Sequence, residues 1–209
     1  VILRPTYDPI IPATFDALAE ENAWQGEAGG GAGAFDPLTG DSSLLYLFDA
    51  RYGVTDGGDG SVESWTDRKS GVAPSQGTAA AKPTYSASDA AWNNLPSISA
   101  DAGDSLAVTL GAAFATPCTM YGVIKLAVND ANVHFPWCFG TSLAFADPNT
   151  ASWRAQSGGA TISGGTVDTN GHKVCVVVNG ASSALHIDDF ATAAATGTLN
   201  ADSQTLMTL

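Results

Sequence analysis

From Leu44 onward the apolar residues gather in short runs separated by turn-forming clusters. The runs are SLLYLFDA (43–50), SVESWTD (61–67), PSISA (96–100), SLAVTL (105–110), CTMYGVIKLAV (118–128), HFPWCFG (134–140), HKVCVVV (172–178), ALHIDDF (184–190) and TLMTL (205–209). Between them lie TDGGDG, ADAGD, DPN, SGG and NG, where Gly, Asn and Asp supply the backbone conformations that tight turns require. Short β-branched and aromatic runs at this spacing predict an all-β chain of antiparallel strands in two packed sheets. VCVVV is apolar at every position, so it predicts a central strand covered on both faces. Asn179-Gly180, between two of the runs, predicts a hairpin.

Residues 1–40 follow a different pattern. VILRPTYDPIIPATF carries three prolines in its first twelve positions, which favours extended backbone. Thr14 is placed to cap a short helix over 15–24, with acids in its first turns as the helix dipole prefers. GEAGGGAGAFDPLTG then has the glycine density of a flexible tether. The expectation is an extended N-terminal arm and linker over 1–40, ahead of a domain over 41–209. An arm of this composition buries too little apolar surface to offset about 1–2 kcal/mol of backbone entropy per ordered residue. Its order must come from contacts made elsewhere, through Ile2, Leu3, Tyr7, Ile10, Ile11, Phe15, Leu18, Trp24 and Phe35.

Composition narrows the picture. The 209 residues suit a single all-β domain. Eight Lys and Arg stand against 21 Asp and Glu, a net charge of −13, which opposes binding to nucleic acid and to anionic membrane surfaces. No run of 18 apolar residues is present to cross a bilayer as a helix. No signal-peptide pattern opens the chain, and Val1 reads as the residue left by a trimmed initiator methionine. Cys118, Cys138 and Cys175 are far apart and odd in number. They read as buried free thiols, one disulfide with a spare thiol being the alternative.

Several segments together resemble a known family. LLYLFDARYGVTDGGDGSVESWTDRKSG is similar to the opening of concanavalin A-like lectin/glucanase domains of the laminin G-like type, with an apolar strand ending in Asp-Ala and a later Ser-Trp-x-Asp segment. KPTYSASDAAWNNLPSISADAGDSLAV, CTMYGVIKLA and KVCVVVNGASSALHIDDFATAAATGTL resemble the family's later stretches, so the likeness covers about 43–209. It implies a two-sheet antiparallel jelly-roll sandwich. Such domains usually close with further strands, so the resemblance also implies that the final strands are lacking at Leu209. It assigns Trp65 and Trp92 to packing.

Chemistry is sparse by comparison. Glycosidases of this superfamily carry a Glu-x-Asp-x-x-Glu strand, and retaining hydrolysis needs two carboxylates about 5 Å apart. That motif does not occur, and Glu63 is the only Glu after residue 27. The chain therefore reads as a non-enzyme. His172 and His186 fall on runs expected to be neighbours, with Asp188 as the one further ligand a zinc site would draw on. Two loops group hard oxygen ligands that suit calcium, Asp56 with Asp59 and Asp101 with Asp104, although Asp-Gly is equally ordinary turn chemistry. No other cofactor is expected. For a sugar platform the candidate residues are Trp137 and Trp153, with Arg154 beside the latter, core packing being the alternative.

Arm, absent signal peptide, missing catalytic pair and lectin-like resemblance lead to one expectation. The chain reads as a structural protein of a bacteriophage virion: a capsid decoration, fibre or adhesion component. Its arm would hold other virion proteins, its lectin-like domain would face host cell-surface glycans, and it would form a homo-oligomer. The alternative is a carbohydrate-binding module of a bacterial secreted or surface protein.

Overall fold

The computed structural model describes residues 2–4, 38, 43–101, 103–127, 134–139, 142–147 and 150–209. Regular structure among them is dominated by strands: β1 (Ile2–Arg4), β2 (Tyr46–Leu47), β3 (Val54–Asp56), β4 (Val62–Trp65), β5 (Thr84–Asp89), β6 (Leu95–Ser99), β7 (Ala107–Ala115), β8 (Cys118–Lys125), β9 (His134–Phe139), β10 (Ser142–Asp147), β11 (Ser152–Ser157), β12 (Ala160–Thr166), β13 (Gly171–Val178), β14 (Ser183–Ile187), β15 (Ala195–Gly197) and β16 (Ser203–Thr208). One six-stranded sheet runs β15-β14-β13-β8-β1-β2 and a second runs β12-β11-β10-β9-β16-β7. Hairpins β3–β4 and β5–β6 stand beside them. The pairings are antiparallel throughout. No helix among the described residues is long and apolar enough to cross a membrane.

A single large core joins the two sheets, giving a sandwich-like arrangement. The first sheet contributes Met120, Val174, Val176, Val178 and Leu185; the second contributes Phe114, Trp137, Phe139, Trp153, Ala155 and Met207. Burying each large apolar side chain of this kind stabilises the fold by about 1.5–3 kcal/mol. The approach between sheets is closest at Gly122 on β8, where an added Cβ would lie 2.2 Å from the Trp137 ring on β9. VCVVV forms the central part of β13, between β8 and β14. Val174 and Val176 face the main core, while Cys175 and Val177 join Tyr121 and Phe190 in a second, smaller cluster. The run is apolar throughout because both of its faces are covered.

The first strand corrects part of the arm. Ile2 pairs with Tyr121 on one side and Leu47 on the other, and Leu3 pairs with Met120 and Tyr46. Ile2 and Leu3 are therefore strand residues of this chain's own sheet, and the expected boundary near residue 40 does not hold for residues 2–4. The backbone groups that β8 and β2 turn toward each other are satisfied by β1 between them. Tyr7, Ile10, Ile11, Phe15, Leu18, Trp24, Phe35 and the helix expected over 15–24 lie outside the described residues. At the other end, β16 is flanked by β7 and β9, and Leu106 and Leu209 exchange backbone hydrogen bonds of 2.8 and 2.9 Å.

Candidate functional site

The sugar platform expected of Trp137 and Trp153 is not at the surface. The two rings retain 1% and 0% exposure and belong to the core between the sheets. Stacking on a pyranose needs an open ring face, so neither can serve. β11 alternates strictly, Trp153, Ala155 and Ser157 being buried while Arg154 is half-buried at the opposite phase. Arg154 and Trp153 thus do not combine into one binding surface. Trp65 and Trp92 are packing residues, as the resemblance implies. Trp65 meets the Phe48 ring edge-on at 5.3 Å and its Nε1–H donates to the Asp49 carbonyl at 3.2 Å, and Trp92 lies against Gly171.

In both proposed calcium loops the carboxylates accept bonds from their own loops. Asp56 Oδ1 accepts from the Gly58 and Gly60 amides at 2.8 and 2.9 Å. Asp59 Oδ1 accepts from the Ser61 amide at 2.9 Å and from its hydroxyl, and these bonds lower the Asp59 pKa. In the other loop the Asp101 amide donates to Asp104 Oδ2 at 2.9 Å. These are Asx turns, with oxygens aimed at amides. Among the described residues no three His, Cys, Asp or Glu side chains are grouped to hold a metal ion. Glu63 forms an ion pair with Lys82 at 2.9 Å. Cys118, Cys138 and Cys175 are all free thiols; Cys118 and Cys175 are buried and Cys138 is partly so.

The neighbouring strands expected for His172 and His186 do pair, as β13 and β14. Register separates the two rings, however. His186 stands opposite Cys175 and near Phe190, on the side of the small cluster, whereas His172 shares the phase of Val174 and packs edge-on against Trp153 at 5.5 Å. Asp188 joins His172 alone. Asp188 Oδ2 lies 2.7 Å from His172 Nδ1, and Asp168 Oδ1 lies 2.9 Å from Nε2. Ionised carboxylates only accept, so a ring bonded to both must donate from both nitrogens, which is the imidazolium form. Burial pulls the His172 pKa down, but the bonds and charges of Asp188 and Asp168 outweigh it and raise the value above 6.5. The cluster ties the β12–β13 connection to the end of β14, and both ring nitrogens are occupied by the protein itself.

A further cluster, not anticipated as a site, forms where the 43–50 run meets the SWTDRKSG segment. Asp67 is buried at 2% exposure; its carboxylate takes the Leu47 amide and both the amide and hydroxyl of Ser70. The Leu47 carbonyl accepts from the Arg68 amide at 2.9 Å, fixing where Arg68 leaves the backbone. Asp49 then receives Arg51 through Nε at 3.0 Å and Nη2 at 2.8 Å, and Arg68 Nη1 approaches at 3.5 Å. Burial would raise the Asp49 pKa, but these two guanidinium groups hold it below the ordinary carboxylate range. The Arg68 guanidinium lies 4.0 Å from the centroid of the Tyr52 ring, and that of Arg51 lies 5.7 Å away. Gly53 allows the turn: its φ is +72°, and a Cβ there would meet the Thr66 carbonyl at 2.3 Å. Tyr52 is 46% exposed, and among the described side chains it is the one exposed aromatic ring. The legible signal was the pairing of Asp-Ala-Arg-Tyr-Gly with Asp-Arg-Lys-Ser-Gly, two turns that each place cations beside a fixed Asp.

No family model matches the chain, and neither a curated protein nor a solved structure does.

Proposed function

We propose that the protein is a non-catalytic structural component of a bacteriophage virion, displaying a lectin-like jelly-roll sandwich toward host cell-surface glycans. The reading rests on the resemblance over 43–209 and on the sequence of residues 5–37. The observation that carries it is the fate of the acidic side chains in the described domain. Asp56, Asp59, Asp67 and Asp104 bind backbone amides, Glu63 binds Lys82, and Asp168 and Asp188 bind His172. Carboxylates used in this way hold turns and strand ends, which suits a rigid display domain. Anchoring falls to the segment after β1: Arg4 is in the first sheet and the Leu38 carbonyl accepts from Lys69 Nζ at 2.8 Å, so the domain grips both ends of residues 5–37.

The experiment is incorporation of an arm variant into particles. Serine replacements of Tyr7, Ile10, Ile11, Phe15 and Leu18 are expected to give a protein of unchanged strand content that is missing from purified virions containing the unaltered chain. Incorporation of the variant at full occupancy would overturn the anchoring.

A further inference from the structure

We propose that the cluster of Arg51, Tyr52 and Arg68 is the ligand site of this domain, and that its ligand is an acidic sugar, a carbohydrate ring bearing carboxylate or sulfate. The inference rests on the glycan-binding part of the function proposed above and names where and what the domain would bind. Three properties of the cluster combine to support it.

The first is an aromatic face. A sugar ring presents axial C–H groups that pack on an exposed aromatic ring, and Tyr52 is the one described aromatic that offers this. Arg68 occupies one approach to the ring, and nearly half of the residue's surface still meets solvent. The second is local charge. Arg51, Arg68 and Lys69, three of the chain's eight cations, lie within 19 residues of sequence (51–69). Of the nearby acids, Asp49 neutralises one charge, and Asp67 is buried against backbone donors. The net charge of −13 repels anions in general, but charges farther than about 8 Å are largely screened at physiological salt, so the contact patch decides. Guanidinium groups also present paired N–H donors that match carboxylate and sulfate oxygens.

The third is preorganisation. Arg51 is locked by its bonds to Asp49, Arg68 by its backbone bond to Leu47 and its stacking on Tyr52, and the tyrosine by the Gly53 turn. A site whose side chains are already placed loses little conformational freedom on binding.

The test is isothermal titration of the full chain with matched sugar pairs. The pairs are sialyllactose against lactose, oligogalacturonate against its methyl ester, and a sulfated disaccharide against its unsulfated parent. The expected result is that at least one acidic member binds about tenfold or more tightly than its neutral counterpart, with affinity falling as salt rises. Tyr52→Ala and Arg68→Gln should each weaken that binding about tenfold or more while leaving the thermal midpoint in place, since both side chains lie at the surface. Equal binding by the wild type and Tyr52→Ala would place the site elsewhere. Preference for neutral sugars would overturn the ligand class while leaving glycan binding intact. Failure of every sugar to bind would remove the glycan reading itself, and this inference with it.

Discussion

Gly122→Ala offers a sharp test of how the two sheets meet. A Gly to Ala change in a strand ordinarily stabilises by about 0.4–1 kcal/mol, because the unfolded chain loses freedom. Here the opposite sign is expected. The new Cβ would stand 2.2 Å from Trp137 Cζ3 and 2.5 Å from Cη2, whereas carbon atoms in contact prefer about 3.5–4.0 Å. Closing a gap of about 1.3 Å means moving either strand backbone or an indole that is 1% exposed and packed on all sides. Overpacking typically costs 1–3 kcal/mol, and a contact between fixed backbone and a buried ring belongs at the upper end, about 3 kcal/mol. For a chain of this size that lowers the thermal midpoint by about 6–12 °C. The assay is thermal and urea unfolding of the wild type, Gly122→Ala, Trp137→Phe and the double variant. Phe lacks the second ring that carries Cζ3 and Cη2, so the double variant should lose about 1–2 kcal/mol less than the sum of the singles. A Gly122→Ala midpoint within about 1 °C of wild type, or strict additivity, would refute the packing described between β8 and β9.

Three further outcomes are expected. Because the folded pKa of His172 is raised, its contribution to stability is complete below about pH 6.5 and is lost as pH rises through the folded value. His186 is shifted down by burial and has the opposite sign, so the urea midpoint should be followed from pH 5 to 9 in His172→Gln and His186→Gln separately. A wild-type minus His172→Gln difference that stays flat with pH would remove the imidazolium clamp. Asp67→Ala should destabilise by about 3 kcal/mol or more, since it strands buried amides of Leu47 and Ser70, each costing about 1–3 kcal/mol; a loss under about 1 kcal/mol by urea unfolding would contradict this. In native protein, iodoacetamide should modify Cys138 before Cys118, whose thiol is pushed up to about 12 by burial; mass-spectrometric mapping showing Cys118 labelled first would contradict the packing of β8.

The sequence was most legible where one kind of side chain had one reason to be present. β13 could be read from VCVVV, because only a strand covered on both faces needs five consecutive apolar residues. The SGG turn was equally plain: Gly158 and Gly159 take φ of +52° and +79° between β11 and β12. β10, β11 and β12 went unread because they are built from Ala, Ser, Thr and Gly, and small side chains give little alternation to see. In β11 the buried positions hold a Trp, an Ala and a Ser, so only the structure shows the period of two. β1 was hidden by its prolines: Ile2–Arg4 lies immediately before Pro5, and the three residues were taken with the Pro-rich stretch that follows.

Candidate chemistry was harder to read than strands. Trp137 and Trp153 illustrate the difficulty, since a tryptophan for a sugar and a tryptophan for a core look identical in a run of apolar residues. Burial decides between them, and burial depends on the phase of a strand relative to its partner sheet. Tyr52 was passed over for the complementary reason. Its importance comes from Arg68, sixteen positions away, which reaches the ring only because Asp67 binds the Leu47 amide and so brings the two turns together.

The central claim is that this chain is a structural component of a virion, and the most direct test is its copy number. Particles purified to constant density from a host culture expressing the chain would be digested and quantified by mass spectrometry against isotope-labelled peptides from the domain. The account predicts a fixed stoichiometry to the major capsid or tail protein, unchanged by further purification. A chain absent from the particles and recovered instead in the culture medium or on the cell surface would contradict it, in favour of a free carbohydrate-binding module.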